Sequence, residues 1–254
     1  MKPWTARVEV RNLKMVVEYD GAGYHGWQRQ RDPATVQQVL EDIVFRITRE
    51  RVAIFGSGRT DAGVHALKQT AHFKTSSGIS ASNLLAGMNS LLPGDIVVKE
   101  LQEVSESFHA RFDAKSKVYM YQIFNSPTRS ALYRKYAWYV RTPLNLMEME
   151  KGLSVLKGRH DFTAFCGKKV GDYNCIRTVT DVRLEKMTSG IINIYLEADG
   201  FLRYMVRSLV GTLVEVGRGK RTPEELLNVL QAKERRSAGI TAPPQGLFLV
   251  EVKY

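Results

Sequence analysis

Cysteine is nearly absent from this chain, with only Cys166 and Cys175. Two residues outside CxxC spacing cannot supply a disulfide framework, and they exclude the common thiolate metal motifs. The five histidines, at 25, 65, 72, 109 and 160, show no HExxH or comparable ligand pattern, so no metal is expected. No run approaches the ~18 continuous apolar residues that a membrane span needs. The opening Met-Lys-Pro-Trp-Thr-Ala-Arg lacks the apolar stretch of a secretory leader, which makes the expected location cytoplasmic. Acidic residues are also scarce: 26 Asp and Glu face 37 Lys and Arg, a net charge of +11. That balance suits a polyanionic partner, and nucleic acid fits better than a membrane because no basic amphipathic segment is present. A chain of 254 residues that is 44% hydrophobic can bury a sizeable core, in one large domain or two small ones.

The residues the rest of the chain is organised around are 55 to 66, Phe-Gly-Ser-Gly-Arg-Thr-Asp-Ala-Gly-Val-His-Ala. Gly56, Gly58 and Gly63 bracket one guanidinium, Arg59, and one carboxylate, Asp61, so the backbone can turn tightly and aim both side chains outward. A strand-to-strand turn in which Thr60 and Asp61 cap local amides is the alternative. Ahead of this loop, Leu13 to Tyr19 reads as a strand ending in the turn signal Asp20-Gly21. The following Gly-Ala-Gly-Tyr-His-Gly formally satisfies GxGxxG, but Trp27 to Pro33 stands where a dinucleotide site needs a helix. The Trp27, Gln28 and Arg29 cluster suits stacking and phosphate contacts on RNA better. Thr35 and Gln38 make a capping box before a helical stripe of Val36, Val39, Leu40, Ile43, Val44 and Ile47. Strands over Val52 to Gly56, Gln69 to Lys74 and Asp95 to Val104, with a helix through Leu84 to Leu92, complete a β-α-β-β-α-β order.

The string Phe108-His109-Ala110-Arg111-Phe112 lies in a linker. Its rings suit core plugging, and Arg111 suits RNA. Lys115 to Phe124 alternates as a strand with Tyr119, Tyr121 and Ile123 on one face. Tyr136 to Val140 is a further strand, and Asn145 with Glu148 caps a helix through Leu156. His160-Asp161 reads as local capping. Lys168 to Tyr173 is an exposed basic loop suited to an RNA backbone, or simply solvated. A hairpin over Ile176 to Lys186 and Ile191 to Glu197 precedes a buried helix from Phe201 to Val216, where Arg203 and Arg207 stand one turn apart on one side. Thr222-Pro223 opens a shorter helix, and Gly246 to Val252 is the last strand. The expected fold is therefore α+β: two split β-α-β halves, ferredoxin-like, at 1-112 and 113-254. Their antiparallel sheets would lie side by side, with helices on the outer faces and a groove between the halves.

GSGRTDAGVHA resembles the signature of the TruA family, tRNA pseudouridine synthase A, and YDGAGYHGWQRQ is similar to that family's second signature. TVQ at 35 to 37, FHARFDAKSKVYMYQI at 108 to 123, HDFTAF at 160 to 165, FLRYMVRSLVGTLVEVGRGK at 201 to 220 and APPQGLFLVEV at 242 to 252 resemble further segments in family order. Departures are few: about a dozen residues precede the first strand, and Arg203-Tyr204 stands where members vary. The resemblance implies isomerisation of uridine to pseudouridine at positions 38, 39 and 40 of the tRNA anticodon arm, by a homodimer without a cofactor. It makes Asp61 the catalytic residue. It places Tyr119 at the substrate, where Arg207 and Leu247 are further candidates. An Arg fork keeps an enclosed carboxylate ionised, so Arg207 is the candidate ion-pair partner of Asp61, the alternative being a helix-surface arginine paired elsewhere. Arg59, Phe108, His109, Ala110, Arg111, Phe112, Lys168 and Lys169 would bind RNA or hold the flipped arm open. A binding module that presents aromatics on its sheets is the reading from another class, and it leaves the carboxylate in a basic groove without a purpose.

Overall fold

The computed structural model describes residues 10–167 and 174–254. It is a mixed α+β fold built on one ten-stranded sheet, in the order β4-β1-β3-β10-β5-β9-β8-β7, with β2 paired to β3 and β6 to β5. The first part of the chain runs β1 (Arg11–Tyr19), α1 (Val36–Thr48), β2 (Phe55–Gly56), β3 (His65–Thr75), α2 (Ala81–Leu91) and β4 (Ile96–Val104). The remainder runs β5 (Ser116–Asn125), β6 (Trp138–Val140), α3 (Leu146–Val155), β7 (Gly158–Asp161), β8 (Ile176–Lys186), β9 (Ile191–Ala198), α4 (Met205–Gly217), α5 (Glu225–Ala232) and β10 (Leu247–Lys253).

Local chemistry sets most of these boundaries. Thr35 accepts from the Gln38 amide at the start of α1, and Asn145 accepts from the Glu148 amide at the start of α3, as the capping residues predict. Before α5 the Glu225 carboxylate accepts from the Thr222 amide at 2.7 Å, the reciprocal half of a capping box. In β1 the alternate residues Leu13, Met15, Val17 and Tyr19 are buried, and they share a core with Val36, Leu40, Ile43 and Val44 of α1 and Leu84 and Met88 of α2. Each such side chain contributes about 1.5–3 kcal/mol through the area it removes from water. The helix α4 is buried on most sides, and at Gly211 a Cβ would meet the Ile240 carbonyl at 1.7 Å, so only glycine lets the 239–242 segment approach.

The two parts of the chain join through β10. It pairs antiparallel with β5, and parallel with β3 through Phe248 opposite His65 and Leu249 opposite Ala66. This seam carries the 57–64 loop, which ends at His65, to the same edge as the start of β10.

Three expectations are corrected. The strand over 52–56 shrinks to Phe55–Gly56, because the Ile54 amide is taken by Glu41 Oε1 at 3.1 Å and its carbonyl by Gln37 Nε2 at 3.0 Å, leaving no ladder to form. Phe112 is no core plug, being 74% exposed. The helix placed from Phe201 begins at Met205, since Tyr204 takes a left-handed backbone with φ of 63°.

Candidate active site

The 57–64 loop is held from three sides. Ser57 donates its amide to the Thr70 carbonyl at 2.7 Å and its hydroxyl to Gln69 at 2.7 Å, while Gln69 donates to the Gly58 carbonyl at 3.0 Å. The Tyr19 hydroxyl bonds the Thr60 hydroxyl at 2.8 Å. From behind, the Trp27 amide donates to the Thr60 carbonyl at 3.2 Å. Gly26 has φ of 89°, and a Cβ there would lie 2.5 Å from the Thr60 carbonyl oxygen. The segment rich in Gly, Trp, Gln and Arg is therefore a brace, which corrects its assignment to RNA stacking. Trp27 is buried beneath Gly56, Gln28 is bonded to Gln37, and Arg29 is paired with Glu41 at 2.8 Å.

This brace presents Asp61 to α4. Arg207 Nη1 stands 3.4 Å from Asp61 Oδ2, and Arg207 Nε donates to the Ala242 carbonyl at 2.7 Å. One planar fork thus bridges the loop of the first part and the approach to β10. At 3.4 Å the ion pair is longer than the 2.7–2.9 Å of a tight charge-assisted bond, so the carboxylate is oriented without being locked. Burial lifts the Asp61 carboxyl above its ordinary value, with Arg207 and then Arg203 opposing that rise. The net effect is a more basic carboxylate than a surface aspartate.

Tyr119 lies on β5 with its ring edge-on to Phe201, centroids 5.0 Å apart; burial raises its phenol, and the Asp61 charge adds to the rise. Leu247 is buried at the start of β10, opposite Tyr121, whose hydroxyl donates to the Pro243 carbonyl at 2.7 Å. Arg59 is exposed and has no carboxylate within 4.0 Å among the described residues. The 108–112 string packs elsewhere, around His72: Ala110 donates its amide to His72 Nδ1 at 3.1 Å, the His72 and His109 rings are 4.6 Å apart, and Phe108 leans on Tyr254 at 5.1 Å. Arg111 and Phe112 are exposed there. Lys168 and Lys169 lie outside the described residues. Asp161 caps Thr163 and pairs with Lys233 at 2.9 Å, consistent with local capping.

Lys117 also faces the loop, although no sequence motif singles it out. It stands two residues before Tyr119, on the same strand face, and that alternation was the available signal. Its ammonium donates to the Ser57 carbonyl at 2.8 Å, and it has no carboxylate within 4.0 Å among the described residues. Burial, reinforced by Arg111 and Arg177, depresses it to about 8 from 10.5. Below pH 8 both folded and unfolded chains carry this proton. Between 8 and 10.5 the unfolded chain binds it more, so stability rises with pH there. Between pH 7.5 and 9.5 the wild type is expected to gain about 2 kcal/mol relative to Lys117→Met, read from denaturant melts. Parallel stability curves for the two proteins would contradict the assignment.

A family model described as tRNA pseudouridine synthase matches residues 15–113 and 153–254, segments that contain Asp61, Arg207 and Leu247; Tyr119 falls between them. The chain is 49% identical over 245 residues to tRNA pseudouridine synthase A of Thermoanaerobacter sp. (strain X514), covering 96% of this chain and 100% of the relative. It is 45% identical over 245 residues to the protein of that name from Acetivibrio thermocellus, with the same coverage. Another of that name, from Brevibacillus brevis, is 44% identical over 245 residues. Among solved structures, a Cbf5-Nop10-Gar1 complex aligns over 93% of this chain and 48% of that chain, at 9% identity and a TM-score of 0.40, too slight a likeness to bear on fold or function.

Proposed function

The chain belongs to the tRNA pseudouridine synthase A family, isomerases that act on tRNA, and we propose that it converts uridine to pseudouridine at positions 38, 39 and 40 of the anticodon arm. The observation that carries this reading is the half-buried Asp61 carboxylate, offered by a braced loop and partnered by Arg207 at 3.4 Å from the other part of the chain. The N1–C1′ bond of uridine breaks, the uracil turns, and a C5–C1′ bond forms. The proton leaving C5 is matched by one taken up at N1, so nothing is gained or lost and the reaction calls for no cofactor.

Asp61 acts at the sugar or base of the flipped nucleotide, and its raised basicity favours attack over a spectator role. Arg207 keeps it ionised. Tyr119 and Leu247 flank the uracil, with the phenol, kept protonated by burial, able to hydrogen-bond the base. Arg59 fills the gap left by the extruded base. The exposed Arg111 and Phe112, with Phe108 and His109, hold the arm further out, Ala110, fully buried and bonded to His72 and Tyr254, supports them from behind, and Lys168 and Lys169 clamp the arm's backbone. The groove runs between residues 1-112 and 113-254, read as two ferredoxin-like halves merged at the β3–β10 seam. The working unit is a cytoplasmic homodimer that carries one tRNA across two subunits.

The test uses three tRNA transcripts, each retaining uridine at only one of positions 38, 39 and 40, with cytidine at the other two. Conversion of the retained uridine in every transcript is expected. Conversion confined to uridines outside the anticodon arm would overturn the positional reading.

A further inference from the structure

We infer that Tyr204 is a positioning residue for Arg207, and through it for the Asp61 carboxylate. The inference rests on the catalytic reading of that pair. Tyr204 violates local preference twice. Its backbone is left-handed, φ 63° and ψ 1°, a region that asparagine or glycine occupies far more readily than tyrosine. It also precedes the first residue of α4, yet its side chain caps no amide there. Strained residues of this kind persist where surrounding contacts over-determine them, and they cluster at working sites.

The contacts of the ring show what the conformation achieves. Arg207 Cζ lies 5.1 Å from the ring centroid and Arg203 Cζ 4.7 Å from it, so one aromatic face system serves both guanidiniums that bear on Asp61. Arg203 donates to the Tyr204 hydroxyl at 2.8 Å. Behind the ring, a Cβ on Gly167 would run into Tyr204 Cδ2, and the Gly167 amide donates to the Arg203 carbonyl at 2.9 Å, so the left-handed Tyr204 is backed closely by that segment. The Arg207 guanidinium is therefore fixed on its Nε edge by the Ala242 carbonyl and over its plane by Tyr204. Nη1 is left pointing at Asp61. The groups bearing on the Asp61 charge are Arg207 on α4, Arg203 ahead of it and the Tyr119 phenol on β5. The Tyr204 ring adds no charge and acts only through the arginines.

Single-turnover rates and tRNA affinity of Tyr204→Leu, Tyr204→Phe and Tyr204→Asn, measured from pH 5 to 8 beside Asp61→Asn, test this. Tyr204→Leu is expected to lose about 10- to 100-fold in rate with tRNA Kd within about twofold. Its acid limb should move to higher pH, because a wandering Arg207 no longer offsets the burial of Asp61. Tyr204→Phe, which keeps the ring, should retain the wild-type acid limb and a rate within about threefold. Tyr204→Asn tolerates the left-handed backbone and should behave as Tyr204→Leu does, which keeps the test open if the leucine variant does not fold. A wild-type rate and acid limb in Tyr204→Asn, or a loss expressed only in tRNA Kd, would overturn the inference. Full activity of Asp61→Asn would instead overturn the catalytic reading beneath it.

Discussion

Asp61→Asn is expected to lose pseudouridine formation by at least about 10³-fold while its tRNA Kd stays within about twofold of wild type. The substitution is isosteric and removes only the charge. The bonds that shape the loop run through Ser57, Gly58, Thr60, Gln69 and Trp27, and among the described residues the Asp61 carboxylate accepts a hydrogen bond only from Arg207. The loop should therefore keep its path. A neutral amide cannot form or assist the bond change at the ribosyl or uracil ring, whatever atom the carboxylate addresses. Equilibrium binding and single-turnover rates on the same transcript separate the two effects; a parallel loss in both would assign Asp61 to binding.

Arg207→Met is expected to cost about 10²-fold in rate at neutral pH, with part of the loss recovered as pH rises. Removing the guanidinium leaves burial of Asp61 opposed only by Arg203. The carboxyl pKa, already raised, rises further, and the fraction ionised at pH 7 falls. The sign follows: the variant's acid limb moves up, so its deficit is largest at low pH and shrinks above neutrality. Stability should drop by about 1–3 kcal/mol, because the Ala242 carbonyl loses its 2.7 Å donor. Arg207→Lys should recover little, since one ammonium cannot reach the Ala242 carbonyl and Asp61 together as the fork does. A flat pH dependence of the deficit would contradict the role given to the ion pair.

Much of this was legible in the chain where the cause is local. Thr35 and Asn145 announce helix starts because the capping bond spans only three residues. The 55–66 stretch announces itself through its glycines. The helical spacing read between Arg203 and Arg207 does not hold, since α4 begins at Met205; the two guanidiniums meet instead over the ring of the left-handed Tyr204. What was missed depends on distant partners. The strand at 52–56 fails because Gln37 and Glu41, on the preceding helix, take the Ile54 backbone groups. Trp27 reads as a stacking platform until Gly56 is seen to leave room for its indole. Tyr204 is left-handed where Gly167 and two arginines enclose it, and no local propensity foretells that. The β3–β10 seam rests on two parallel register pairs, too short a signal for alternation to carry.

The most direct measurement is pseudouridine mapping of an unmodified tRNA transcript with uridines at 38, 39 and 40, incubated without added cofactor with wild-type protein and with Asp61→Asn. Conversion at those positions by the wild type alone is the predicted result. If both proteins bind the transcript and neither converts any uridine, the account fails and the chain is an RNA-binding protein whose Asp61 loop is only structural.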